Sequence, residues 1–262
     1  MGATFEECLA QGISLAEAGD NAGAVREFSR CTELEPTRSE GYCYLGESLA
    51  ALGKSDEAIS ALKQSISLSP DVDALIALGD LYFEVGDHKQ AIQQYKKVAE
   101  VDPKNADAYV NIGLVYSKME RIDEAIKAYE AALEIEPDNV FAYNAIGDAW
   151  YGQGEKEKAI AAFRKGIEVD PEDAAAHFNL GELYYDMEEF DEAEKECLEA
   201  VSLDPEFTLA YLTLGSLCMD RERVKDAIKY LELYLRYEKS PQAEEMVAEV
   251  KAVLEGLRAE LP

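Results

Sequence analysis

Histidine is almost missing from this chain, with two in 262 residues, and there is a single tryptophan. So few imidazoles leave little to build a histidine-bound metal centre or a histidine acid–base pair. Base is scarce as well: 25 Lys and Arg stand against 54 Asp and Glu, a net charge of −29. A surface of that sign repels phosphate backbones, which argues against nucleic acid and for a basic protein as partner. No run of 18 apolar residues occurs, so no membrane insertion is expected. Met1 to Glu7 show neither the basic nor the apolar stretch of a secretory signal, and Glu6 stands where a myristoylation pattern needs Ser or Thr. Five cysteines, an odd number with no Cys-x-x-Cys, point to reduced thiols and a cytoplasmic address. What is present suffices for a core, since 48% of the residues are hydrophobic.

The positive signal is a period. Pro36, Pro70, Pro103, Pro137, Pro171 and Pro205 recur at steps of 34 or 33 residues. Gly12, Gly46, Gly79, Gly113, Gly147, Gly181 and Gly215 keep the same step, and an alanine follows each glycine twelve residues on, from Ala24 to Ala227. Each copy reads as two helices. The first has apolar residues at helical spacing around the glycine, as in Tyr109, Ile112 and Tyr116. A turn follows, often with glycine, and the second helix runs to the proline that stops it. The glycine and alanine are expected to face each other, a bare backbone against a methyl, where the two helices touch. One helix pair cannot bury its apolar faces alone, so the copies must stack.

These residues resemble the tetratricopeptide repeat family, a 34-residue helix–turn–helix with the pattern W-x2-L-G-x2-Y followed by A, F, A and P. Repeat four places Tyr109, Ile112, Gly113, Tyr116, Ala125, Tyr129, Ala132 and Pro137 on it. Repeat five places Tyr143, Ile146, Gly147, Trp150, Ala159, Phe163, Gly166 and Pro171. The likeness runs from about residue 5 to 239, with mild departures at Cys8 and Gln11 and a seventh repeat that lacks its proline on schedule. It implies an all-α fold, an α-solenoid wound as a right-handed superhelix of tandem hairpins. The expected organisation is one array with repeats at 5–38, 39–71, 72–105, 106–139, 140–173, 174–207 and 208–239, then a capping helix at 240–262. In that helix Ser240 reads as N-cap, Pro241 as its first residue, and Met246, Val250, Val253 and Leu257 as the apolar stripe. At the other end Glu7 and Ser14 replace the small and apolar residues of later repeats, as a face in water requires, so the array is expected to be complete.

The resemblance also implies that the first helix of each repeat lines the concave side. If its positions 4, 7, 8 and 11 are buried, then positions 2, 5, 6, 9, 12 and 13 project elsewhere. Over seven repeats those positions hold twelve acids, Glu6, Glu17, Glu40, Glu47, Asp73, Asp80, Glu84, Asp107, Asp148, Glu182, Asp186 and Asp220, and one base, Lys118. Tyr44, Phe83, Phe141, Tyr151, Phe178 and Tyr185 are interleaved as exposed aromatics, able to give contact area and cation–π attraction. Asn111, Asn144 and Asn179 offer amides that can hold a peptide backbone. The candidate groove is therefore Tyr44, Glu47, Asp80, Phe83, Glu84, Asp107, Asn111, Phe141, Asn144, Asp148, Tyr151, Phe178, Asn179, Glu182, Tyr185 and Asp186. The competing reading is that the acids only keep the surface solvated and some aromatics pack on the next helix. Family members that clamp the acidic tail of chaperones do so with Lys, Asn and Arg; here the matching places hold Leu9, Ile13, Tyr44, Asp73 and Ala77, which argues against such a ligand.

No reaction centre is recognisable. Gly53-Lys54-Ser55 resembles the end of a phosphate-binding loop, but Gly46 lies too far upstream and no strand precedes it. His88 falls in a turn, and His177 reads as a packed core residue without companion ligands. Cys8, Cys31, Cys197 and Cys218 read as core; Cys43 is expected to project toward the groove, the one thiol open to reaction. Acidic pairs such as Glu188–Glu189 lack calcium-loop spacing. The expected function is a non-catalytic scaffold or adaptor, without cofactor or metal, that binds a basic or mixed basic and apolar peptide, helix or domain. The alternative is a self-assembling scaffold forming homo-oligomers.

Overall fold

A computed structural model of the chain describes residues 4–260. Residues 1–3, at the expected start, and 261–262, at the end of the expected capping segment, lie outside the described residues. Among the described residues every regular element is helical. The chain divides into two compact units, Met1–Pro137 and Asp138–Pro262. The first holds four hairpins: α1 (Phe5–Glu17) with α2 (Asn21–Leu34), α3 (Ser39–Ala51) with α4 (Ser55–Leu68), α5 (Val72–Glu84) with α6 (His88–Val101), and α7 (Ala106–Lys118) with α8 (Ile122–Ile135). The second holds three: α9 (Val140–Gly152) with α10 (Lys156–Val169), α11 (Ala174–Asp186) with α12 (Phe190–Leu203), and α13 (Thr208–Asp220) with α14 (Val224–Tyr237). A 3₁₀ turn (Pro241–Ala243) and α15 (Glu244–Glu260) close it. The odd-numbered helices α1–α13 are called leading below and their partners trailing.

Caps and turns set these bounds. Thr4 and Glu7 form a reciprocal capping box at α1, and the side chains of Asp20, Asn105 and Asn139 accept from the first free N–H groups of α2, α7 and α9. Between the helices of a hairpin one residue takes the left-handed conformation, as Gly154 does at φ 78°. In the fourth, sixth and seventh hairpins that residue is instead Glu120, Glu188 and Glu222, at φ 57°, 60° and 56°.

The recurrent glycine sits where a side chain of the trailing helix, an aromatic ring in four of the seven hairpins, comes against the leading helix. A methyl added at Gly113 would come 2.4 Å from the Tyr129 ring, and one at Gly147 equally close to Phe163. The expected glycine-to-alanine contact is thus corrected: the bare backbone makes room for the residue sixteen on, and Ala125 and Ala159 are fully buried alongside. Within each unit consecutive leading helices also meet, α1 with α3 and α3 with α5, then α9 with α11 and α11 with α13. No two trailing helices touch to that extent. Each unit therefore curves with its leading helices on the inner side.

The closing helix differs from expectation in two respects. Ser240 has the extended backbone of a cap but its side chain caps nothing, and Pro241 opens the 3₁₀ turn. The packed stripe is Val247, Val250, Leu254 and Leu257, whereas Met246 and Val253 are exposed. Both stripes fit helical spacing; the hydrophobic surface of α14 selects the one that buries two large residues fully.

Candidate functional site

The inner face of each unit is built from fixed places on the leading helices. In the first unit Glu47, Asp73, Asp80, Glu84 and Asp107 are exposed, while Phe83 and Asn111 are half-buried. Asp80, Phe83, Glu84, Asn111 and Leu114 line a cavity of about 380 Å³ together with Tyr95, whose hydroxyl donates to Asp80 at 2.6 Å. Tyr44 is exposed on α3 and stacks on Phe28, ring centroids 5.3 Å apart. Phe83 leans on His88 at 5.9 Å.

In the second unit Asp148, Glu182, Asp186 and Asp220 are exposed. Tyr151 donates its hydroxyl to Asp186, and Tyr185 donates to Asp220 at 2.6 Å, so the same rung joins consecutive leading helices twice. Asn179 Nδ2 reaches Asp148 Oδ1 at 3.5 Å. Asn144 serves the packing of the fold instead of a free face. Its Nδ2 donates to the Asp173 carboxylate at the start of α11 at 2.8 Å, and its Oδ1 is buried without a partner. Phe141 is half exposed, at 51%.

Two further expectations fail, and for one reason. Phe178 is buried against Phe207, with Ala200 and Ala210 around it, and is not part of an exposed face. Cys43 is buried as well; its Sγ lies 3.7 Å from Glu47 Oε1, and burial together with Glu47, Asp71 and Asp73 pushes the thiol up to about 12, far from reactive. Both occupy the fifth position of a leading helix. Leu9, Ile76, Val110 and Leu212 share it and are also buried or half-buried, because that position faces the following repeat. The solvent-facing set is smaller than helical pitch alone implied.

The electrostatics of the remaining carboxylates run one way. Desolvation, with Glu182 behind it, pushes Asp148 up to about 6 although the residue reaches the surface. Glu182 is raised by desolvation and then by Asp186, and Glu47 by desolvation and then by Asp73. Burial and the hydrogen bond to a carboxylate likewise push Tyr151 and Tyr185 up to about 12. Within each unit these carboxylates lie beside another acid, and none of them is ion-paired among the described residues. Lys118 is the only Lys or Arg on the leading helices, and Lys156 of α10 reaches the Asp186 main-chain oxygen at 3.1 Å. Such a face gains from a cation placed on it.

Elsewhere the side chains with chemistry are held in packing. His177 is buried and its Nδ1 lies 2.7 Å from Glu196 Oε2, a partner that sequence reading missed because it stands on the trailing helix nineteen residues on. Lys54 precedes α4 and pairs with Glu57 at 3.1 Å, an ordinary hairpin turn. Among the described residues no three His, Cys, Asp or Glu side chains are placed to hold a metal ion, and no helix is long and apolar enough to cross a membrane.

Comparison with known proteins gives a consistent picture. Models of the tetratricopeptide repeat match residues 9–73, 106–139 and 174–207, and a TPR repeat model matches 79–120 and 147–188. The crystal structure of MamA protein is 31% identical, with a TM-score of 0.60 over 66% of this chain and 96% of that one. A tetratricopeptide repeat protein from Parabacteroides merdae matches at a TM-score of 0.68 over 98% of this chain and 100% of its own, at 18% identity, a likeness of fold alone. Small glutamine-rich tetratricopeptide repeat-containing protein 2 of Mycosarcoma maydis is 30% identical over 104 residues, 39% of this chain. The match spans only 30% of that relative's length.

Proposed function

Because the chain belongs to the tetratricopeptide repeat family, we propose that it is a non-catalytic interaction scaffold whose acidic leading face takes a basic, or mixed basic and apolar, peptide, helix or domain. The observation that carries this reading is the set of crowded carboxylates without counter-charge, Asp148 and Glu182 above all. A lysine or arginine of the partner would supply the missing charge, and Phe141 and the half-buried Tyr151 and Tyr185 would offer it apolar surface. Because Asp148 is pushed up to about 6, capture of a cation at that pH releases a proton. The five free, buried cysteines support a reducing compartment, the cytoplasm.

The test is fluorescence anisotropy with a labelled peptide of alternating Lys and Leu. Affinity should fall at least tenfold between about 0.05 M and about 0.5 M salt. Charge reversal at Asp148→Lys with Glu182→Lys should weaken binding by about tenfold or more and flatten that salt dependence. Binding that ignores both salt and these substitutions would overturn the acidic face as the ligand site. Sedimentation showing dimers or larger species, with no peptide binding, would favour the self-assembling scaffold instead.

A further inference from the structure

The trailing helices of the first unit carry the opposite charge in one place. On α6, Lys89, Lys96 and Lys97 face a single acid, Glu100. Lys63 of α4 and Lys127 of α8 flank them, and none of these five lysines is ion-paired among the described residues. In a chain of net charge −29 that is an unusual strip. Two shallow clefts run along it, one edged by Lys89, Lys96 and Lys97, the other by Lys63, Gln90 and Lys97.

Beside the strip lies a notch of about 520 Å³ between α6 and α8, with α7 as its floor. Ala99, Tyr109, Ile112, Tyr116 and Ala131 line it. Two departures from the repeat open it. Ala99 stands where the other hairpins carry Thr32, Ile66, Leu133, Ile167, Val201 and Leu235. Ala131 stands where they carry Arg30, Gln64, Lys97, Lys165, Glu199 and Leu233. Consecutive trailing helices do not pack on one another, and here both walls of the space between them are trimmed to a methyl.

Lys96 and Lys127 stand at the rim, opposed by Glu100 and Glu124. Glu124 is already held by Arg121 at 2.5 Å, and that guanidinium lies 4.7 Å from the Tyr116 ring centroid. The rim is thus net basic and continuous with the α6 lysines. We propose that this notch docks an acidic segment of a partner protein, with one large apolar side chain seated between Ala99 and Ala131 and its carboxylates against Lys96, Lys127 and the α6 strip. A cavity of this volume, apolar inside and lysine-edged, takes an aromatic or leucine side chain flanked by negative charge. The site is separate from the acidic leading face and selects the opposite sign.

The probe is a fluorescein-labelled peptide of alternating Glu and Gly around one central Trp, followed by anisotropy with the full chain. It should bind saturably, and the paired change Lys96→Glu with Lys127→Glu should weaken it about tenfold or more. The paired change Ala99→Ile with Ala131→Gln puts back side chains that other hairpins carry, so the fold tolerates it. It should weaken the Trp peptide by a similar factor while leaving a peptide with Gly in place of Trp unaffected. Asp148→Lys on the leading face should not weaken binding. The proposal is overturned if no saturable binding appears, or if the Ala99→Ile, Ala131→Gln chain binds the Trp peptide as before. It is overturned too if the only effect of the lysine changes is to abolish association between copies of this chain, which would assign the notch to a second copy.

Discussion

Leading and trailing helices share one hairpin and one period, yet their charge is managed in different ways. The seven leading helices carry thirteen acids and one base, the seven trailing helices eighteen acids and fifteen bases. On the leading helices Glu47, Asp148 and Glu182 are raised, all by desolvation first. On the trailing helices Glu124 is lowered, Arg121 being the main cause, and Glu196 is lowered because Lys195 and His177 outweigh its desolvation. Glu40 is the leading exception, lowered by Arg38 from the loop before α3. Summed together the trailing helices come close to neutral, although α6 is basic and α8 and α12 are acidic, whereas the leading helices are left with unbalanced negative charge. Stability alone would not select that imbalance, which supports the leading side as the proposed interaction surface.

The largest expected effect lies where the two sets meet. Gly113→Ala drives a methyl into the fully buried Tyr129 ring and should cost about 2–3 kcal/mol, read as an earlier first unfolding transition. Gly256→Ala, with nothing within 4 Å, should be neutral or stabilising by about 0.5–1 kcal/mol. In a Tyr129→Ala background, already weakened by the lost ring, Gly113→Ala should cost far less. Equal costs for the two glycines would break the account of the seam as leading backbone against trailing ring.

The next effect sharpens the charge contrast. A group raised in the folded state, as Asp148 is to about 6, lends stability that is full below its unfolded value and lost as pH rises through about 6. Glu196, lowered, does the reverse: its contribution is present above the ordinary carboxylate range and lost as pH falls through its folded value. The melting temperature of the second unit should therefore rise from pH about 7.5 to about 5 and drop below about 4. Asp148→Asn should flatten the upper limb, by about 1 kcal/mol once solvent screening is allowed for, while leaving the acid limb in place. A melting temperature that is flat between pH about 7.5 and about 5 in the parent chain would remove the idea of a self-repelling leading face.

Much of this was legible in the sequence, and the misses have physical causes. The glycine, alanine and proline registers specify hairpins because the first two mark where a leading helix must pass close to a trailing one, and the third where a helix must stop. The exposed acids at Glu47, Asp80, Asp148, Glu182 and Asp186 followed from pitch. Pitch treats a helix as a cylinder in water, however, and cannot tell solvent from the next repeat. That is why Phe178 and Cys43 were misplaced, although a column reading Leu9, Cys43, Ile76, Val110, Asn144, Phe178 and Leu212 is apolar but for one residue. The rungs from Tyr151 to Asp186 and from Tyr185 to Asp220 join residues 35 apart, one more than the period, so they show only when neighbouring repeats are laid side by side in space. The notch over α7 was readable from Ala99 and Ala131 had the trailing helices been aligned column by column.

The smallest effect concerns the joint between leading and trailing helices. Four of the seven hairpins turn on a left-handed glycine, while Glu120, Glu188 and Glu222 hold the same conformation with a side chain. That backbone costs a non-glycine residue about 1 kcal/mol, and glycine would lose part of the gain to its greater freedom when unfolded. Glu120→Gly should therefore stabilise the first unit by about 0.5 kcal/mol, and Glu188→Gly with Glu222→Gly the second by about twice that. Removing the carboxylate also lowers the net charge, so Glu120→Gln serves as the control that keeps the strained backbone. A gain for glycine and none for glutamine assigns the effect to the turn. Equal gains would assign it to charge, and would mean that self-repulsion reaches the joints as well as the leading face.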